Sequence, residues 1–112
     1  PFQPHIAISI DTVFETKLMA LHAHDSQFYE WLPWIEGKLE EVPEDNEKRF
    51  QWLKKQWKSK PAKEVRKTLK KYYGDKLGGQ IKQAESFEIC EYGRQPDEKE
   101  IKALIQMLSF KK

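Results

Sequence analysis

The stretch Lys17-Leu18-Met19-Ala20-Leu21-His22-Ala23-His24-Asp25-Ser26-Gln27-Phe28 constrains the fold most. A helix turns by about 100° per residue, so Lys17, Ala20, His24 and Gln27 share one face. Phe14, Leu18, Leu21 and Phe28 form an apolar stripe beside it. Such a helix packs on a core by one side and offers the other to a polar cavity. Asp25 falls near the middle of the apolar stripe. A buried carboxylate without a partner is costly, so the helix ends in water there or Asp25 is paired.

The rest of the chain alternates strand-like and helical patterns. His5-Ile6-Ala7-Ile8-Ser9-Ile10 reads as a strand with Ile6, Ile8 and Ile10 on one face. Thr12 with Glu15 has the form of a capping box at the start of the helix above, and Pro33 breaks its pattern. Trp31, Leu32, Trp34, Ile35 and Leu39 gather around that break. Pro43 suits the first turn of a helix reaching about Lys58, with Phe50, Leu53 and Trp57 at helical spacing. Pro61 opens another, carrying Val65, Leu69, Tyr72 and Tyr73, which ends between Gly74 and Gly79. Residues 84–92 alternate as a strand, and Gly93-Arg94-Gln95-Pro96 is a turn. Asp97 and Glu100 form a second capping box, ahead of a helix buried through Ile101, Leu104, Ile105 and Leu108. The order is α/β-like and mostly helical, with two short strands: strand and helix over 4–30, a helical insertion over 31–79, strand and helix over 84–110.

At 112 residues this is one small domain or a piece of one. Charged residues make up 34% against 38% hydrophobic, yet 12% are aromatic and four are Trp, which argues against disorder. A thin aromatic core is expected, or a piece that buries further apolar surface on something else. Pro1 in place of Met, and a strand-like run almost at once, suggest a cut from a longer polypeptide or a processed N-terminus. The single cysteine, Cys90, rules out an internal disulfide and a Cys-based zinc site, and its strand setting predicts a small core residue. No apolar run has bilayer length and no signal-peptide pattern is present, so no membrane partner and a cytoplasmic context are expected.

Net charge is only +2, but it is segregated. Lys and Arg crowd the span from Lys48 to Lys82, where the only acids are Glu64 and Asp75, after an acidic stretch of Glu36, Glu40, Glu41, Glu44, Asp45 and Glu47. With Trp52, Trp57, Tyr72 and Tyr73 among them, these bases could hold nucleic acid or an acidic protein. The aromatics also fit core positions of the helices, and the bases recur as a solvated face does. A basic helical module for nucleic acid or an acidic protein is therefore the leading alternative to the reading below, with nucleic acid itself not expected, and a purely structural interaction domain is a weaker one.

No complete catalytic constellation is visible. His22 and His24, two apart on a helix, point about 160° from each other and cannot share one ion; His5 could join only through tertiary folding. Ser26 and His22 can touch at i, i+4, but no oxyanion device accompanies them. Gly78-Gly79 follows a helix and reads as a cap, not a phosphate loop. Arg94, at a strand exit, could hold a phosphate or carboxylate, or pair with Glu91 or Asp97.

Two blocks carry a resemblance. Lys17-x-x-Ala20-Leu21-x-x-His24-x-Ser26-Gln27 resembles a segment of the LmbE/PIG-L family of zinc-dependent N-deacetylases. The run from Ala84 to Pro96, Ala-Glu-Ser-Phe-Glu-Ile-Cys-Glu-Tyr-Gly-Arg-Gln-Pro, is similar to a second block in longer bacterial members. The resemblance is to the C-terminal portion only. It implies a fragment of a Rossmann-like fold whose parent removes acetyl groups from N-acetylglucosamine-type substrates. The family's metal site uses an N-terminal Ala-His-Pro-Asp-Asp motif and a histidine from a later loop. Neither is in this sequence, so the resemblance implies no catalytic residue and no metal ligand here, zinc only in the parent, and a chain inactive alone. What carries over is a substrate-pocket or supporting role for Lys17, His24, Ser26 and Gln27 in the first block and for Glu85, Glu91 and Arg94 in the second. The implied partners are the missing N-terminal catalytic portion and an acetylated amino sugar, with a homo-oligomer left open. Asp25 stands where members often carry a base, and His5 and Ser9 replace acids common near that strand.

Overall fold

A computed structural model describes residues 1–109; the expected end of the last helix at residue 110 lies outside the described residues. The chain is mixed α/β and mostly helical. It forms two compact units, Pro1–Asp11 with Lys60–Lys112, and Thr12–Ser59.

In the first unit, strand β1 (Ile6–Ser9) pairs antiparallel with β2 (Ala84–Phe87), Ile6 opposite Phe87 and Ser9 opposite Ala84. The expected core face of Ile6, Ile8 and Ile10 is only half-buried; Ala7, on the opposite face, is fully buried with Leu69 and Ile81. Helix α4 (Lys63–Tyr73) packs on that face, and a residue as small as alanine lets it come close. The same helix satisfies backbone groups along β1: the Ser9 N–H donates to the Tyr73 hydroxyl at 3.1 Å, and the Thr68 hydroxyl donates to the Pro4 carbonyl at 2.7 Å. Covering a strand edge with a helix removes it as a pairing site. After β1, the Asp11 carboxylate accepts the backbone N–H groups of Lys82 and Gln83 at 3.0 and 2.7 Å, tying the strand exit to the approach to β2.

Gly74, at φ 90°, turns the chain from α4 into α5 (Asp75–Gln80). Gly78-Gly79 is therefore not a cap but lies within a helix. Gly78 is buried where α5 crosses α4, and its carbonyl accepts from the Arg66 guanidinium at 2.6 Å. Strand β2 is shorter than expected and ends at Phe87, leaving Cys90 exposed rather than in the core. Helix α6 (Glu98–Ser109) buries Ile101 and Ile105, while Leu104 and Leu108, expected on the same face, are exposed.

The second capping box forms as expected. The Glu100 N–H donates to the Asp97 carboxylate at 2.9 Å, and the Asp97 N–H to the Glu100 carboxylate at 3.3 Å. Asp97→Ala should cost about 1 kcal/mol of stability, read by urea unfolding. Hydrogen bonds from Arg94, then from the Asp97 backbone, hold the Glu100 carboxyl below its ordinary value. A carboxyl depressed in the fold stabilises above its unfolded range, and that contribution fades as pH falls through the folded value. Glu100→Gln should flatten the acid limb of the stability profile; an unchanged limb would assign it to other carboxylates.

In the second unit, α1 (Phe14–Ala23) starts after a short 3-10 turn (Asp11–Val13) and has no side-chain cap, so the Thr12–Glu15 box does not form. Leu18 is buried, and α1 packs on α3 (Asn46–Trp57), whose Leu53 is fully buried. Asp45, not Pro43, starts α3, its carboxylate accepting the Lys48 N–H at 3.0 Å. Pro33 does not break the pattern either: a π-turn (Gln27–Trp31) runs straight into α2 (Leu32–Ile35) with Pro33 buried in its first turn. A proline ring clashes with the carbonyl of the preceding helical turn and donates no N–H. Widening that turn removes the clash, and the Leu32 N–H then reaches back to the Gln27 carbonyl. Gly37, at φ 70°, closes α2 as a Schellman cap, with Lys38 N–H bonded to the Pro33 carbonyl at 2.7 Å and Gly37 N–H to that of Trp34 at 3.1 Å.

Candidate functional site

The residues of the first block lie around one break in the helical path. Helix α1 stops at Ala23, and His24 leaves helical geometry at φ −93°, ψ 61°. Its carbonyl then accepts the N–H groups of both Gln27 and Phe28 at 3.1 Å, which restarts the helix. The stripe that a continuous helix would align is therefore split, with Lys17 and Ala20 before the break and Gln27 beyond it. His24, Asp25, Ser26 and Gln27 are all exposed, and Lys17 is half-buried. Asp25 escapes burial because the helix is interrupted one residue before it.

His22 turns inward instead of meeting Ser26. Its Nδ1 lies 2.6 Å from the hydroxyl of Tyr29, and its ring sits 4.6 Å from that of Phe50. Tyr29, on the π-turn, is the most buried aromatic of this unit at 1% exposure. The Arg49 guanidinium stacks 4.4 Å above its ring. Burial pushes the Tyr29 phenol up; Arg49 pulls it partly back, and Asp25 raises it further. None of this was visible in the sequence, because the π-turn that aims Tyr29 inward shifts every later residue from its α-helical direction.

The same π-turn sends Phe28 to a cleft of about 310 Å³ lined by Phe28, Leu32, Pro33, Glu36, Lys38, Trp52, Gln56 and Trp57. Phe28 and Trp57 meet edge to face, centroids 5.5 Å apart. Phe28 and Trp57 are legible as apolar helix positions; their convergence depends on the turn before Pro33.

The second block lies in the other unit. Glu85 is half-buried on β2, opposite Ile8. Glu91 and Arg94 are exposed, and Arg94 forks onto both oxygens of Glu100 rather than onto Glu91 or Asp97. That pairing raises the Arg94 value further and occupies the guanidinium. An open groove of about 800 Å³ runs along the same unit past His5, Lys67, Thr68, Lys71, Tyr72 and Ile101, among others. His5 Nδ1 accepts the Ile89 N–H at 3.0 Å, which places the ring hydrogen of neutral His5 on Nε2. Lys71 is paired with Glu98, the cause of its raised value.

Among the described residues, no group of three or more His, Cys, Asp or Glu could hold a metal ion. No helix among them is long and apolar enough to cross a membrane. No family model, no curated protein and no solved structure matches the chain.

Proposed function

We propose that this chain is the C-terminal part of a zinc-dependent N-deacetylase of the LmbE/PIG-L type, acting on N-acetylglucosamine-type substrates as part of a Rossmann-like whole. One observation carries the reading beyond the resemblance. Within the first block, Leu18, Leu21 and Phe28 are buried or half-buried, whereas His24, Ser26 and Gln27 are exposed together at the break after α1. His24, Ser26 and Gln27 are not consumed by the packing of their own unit, and are open to a catalytic portion or a substrate.

In the parent, zinc would activate the water that cleaves the amide. The described residues of this chain do not fit a zinc site, so no catalytic step is assigned to them. Lys17, His24, Ser26 and Gln27 would order one wall of the pocket by hydrogen bonding. In the other unit, Glu85, Glu91 and Arg94 would support the fold around the second block, Arg94 through its two-pronged pair with Glu100. The sequence upstream in the reading frame is the direct test: an in-frame Ala-His-Pro-Asp-Asp run is expected. The protein carrying it should deacetylate N-acetylglucosamine conjugates, and His24→Ala in that protein should lower kcat/KM at least about tenfold with bound zinc unchanged, about 1.4 kcal/mol of transition-state binding. No such run upstream, or one tightly bound zinc per 112-residue chain, would overturn the reading. Salt-sensitive oligonucleotide binding, abolished by neutralising Lys54, Lys55, Lys58, Lys67, Lys70 and Lys71, would replace it with the basic binding module.

A further inference from the structure

The cleft behind Phe28 has the chemistry of a ligand site that the deacetylase reading does not use. Its size, about 310 Å³, lies at the lower end of small-ligand pockets. One wall is aromatic, from Phe28, Trp52 and Trp57, and Trp57 packs at a steep angle to Phe28 while 40% exposed. The rim is polar and carries both hydrogen-bonding senses: Gln56 donates and accepts, Lys38 donates, Glu36 accepts. Lys38 and Glu36 also form an ion pair at 3.6 Å, so the rim is close to neutral.

Each property excludes a ligand class. A neutral rim gives no preference to a phosphate or carboxylate. A quaternary ammonium would gain from the aromatic faces but finds no net negative charge on the rim and makes no hydrogen bonds with it. A hydrocarbon would use the aromatic wall alone and gain nothing from the donors and acceptors of the rim. A sugar ring matches both halves, with an apolar face of C–H groups and an edge of hydroxyls that donate and accept. We propose that this cleft binds one neutral hexopyranose unit of an oligosaccharide, its C–H face on the Trp57 indole and its hydroxyls on Gln56, Glu36 and Lys38. The proposal goes beyond the deacetylase reading and does not rest on it: a reading frame without a metal motif would leave this cleft as it is.

The test is a titration of the 112-residue chain with chitotriose and, separately, cellotriose, followed through the indole N–H signals of its four tryptophans. The expected result is a saturable shift of the Trp52 and Trp57 signals with at least one of the two sugars. Trp57→Ala should weaken binding by about tenfold or more, the scale of one lost aromatic contact. Gln56→Ala, a change at an exposed position, should weaken it with the fold intact, and Trp34→Ala, outside the cleft, should leave it unchanged. No saturable shift with either sugar would overturn the proposal, as would saturation by tetramethylammonium or adenosine in their place.

Discussion

Gly78→Ala is expected to destabilise the unit containing α4 and α5 by about 3 kcal/mol, the upper part of the range for an overpacked contact. A Cβ at this position would lie 2.5 Å from the Lys70 Cα, 2.6 Å from its backbone nitrogen and 2.8 Å from the Leu69 carbonyl carbon. All three are backbone atoms of α4, so no rotamer change relieves the clash and the two helices must separate. Separation would also pull on Leu69, fully buried beside Ala7 and Ile81, and stretch the Arg66 hydrogen bond to the Gly78 carbonyl. Gly79→Ala is the matched control. Its Cβ would meet only the Lys70 Cε, at 3.6 Å, an ordinary contact with a flexible side chain. Alanine favours a helix interior over glycine, so this variant should match or exceed the wild type by up to about 1 kcal/mol. Urea unfolding of the pair distinguishes steric from conformational effects. Equal midpoints for the two variants would show that α5 is not seated on α4 as the structure has it.

The Gly-Gly pair also shows where sequence patterns inform and where they stop. Two glycines after a helical run have the local signature of a cap, and only the approach of a second backbone reveals the other use of a missing Cβ. The same limit applies to Pro33. A proline inside a helical pattern predicts a break, and nothing local announces that a wider turn will absorb it. Features set by short-range chemistry were legible: the Asp97–Glu100 box, the strand around Ile6–Ser9, the burial of Leu18, Leu53 and Leu69 at helical spacing. Ala7 as the centre of a core was not, because its burial depends on which face of a two-stranded sheet α4 covers. For the candidate site, the exposure of Ser26 and Gln27 was legible in their polarity, but the split of their stripe at His24 was not. The cleft between Phe28 and Trp57 joins residues 29 positions apart, through a turn that periodicity cannot register.

Tyr29 is the buried side chain of that turn, and Tyr29→Ala should cost about 3–5 kcal/mol, as for other large buried aromatics. Tyr29→Phe separates the ring from its hydroxyl. The phenylalanine keeps the contacts with Arg49 and Trp52 but leaves His22 Nδ1 without its 2.6 Å partner, for a loss of about 1 kcal/mol. The difference between the two variants then measures what the buried ring contributes to holding the π-turn. The hydroxyl also links this unit to alkaline pH. Burial raises the phenol in the fold, so its contribution is complete below the unfolded tyrosine value, about 10, and is lost as pH rises through the higher folded value. The difference in phenolate absorbance between wild type and Tyr29→Phe should therefore show a tyrosine titrating later than an exposed one. Because Phe28 is its neighbour on the π-turn, loosening Tyr29 should also disturb the cleft: Tyr29→Ala is expected to shift the Trp52 and Trp57 indole signals, whereas Tyr29→Phe, which keeps the ring 6.4 Å from that of Trp52, should leave both near their wild-type positions. If Tyr29→Ala leaves both the unfolding midpoint and those signals at their wild-type positions, the turn is held by the buried Pro33 and not by Tyr29.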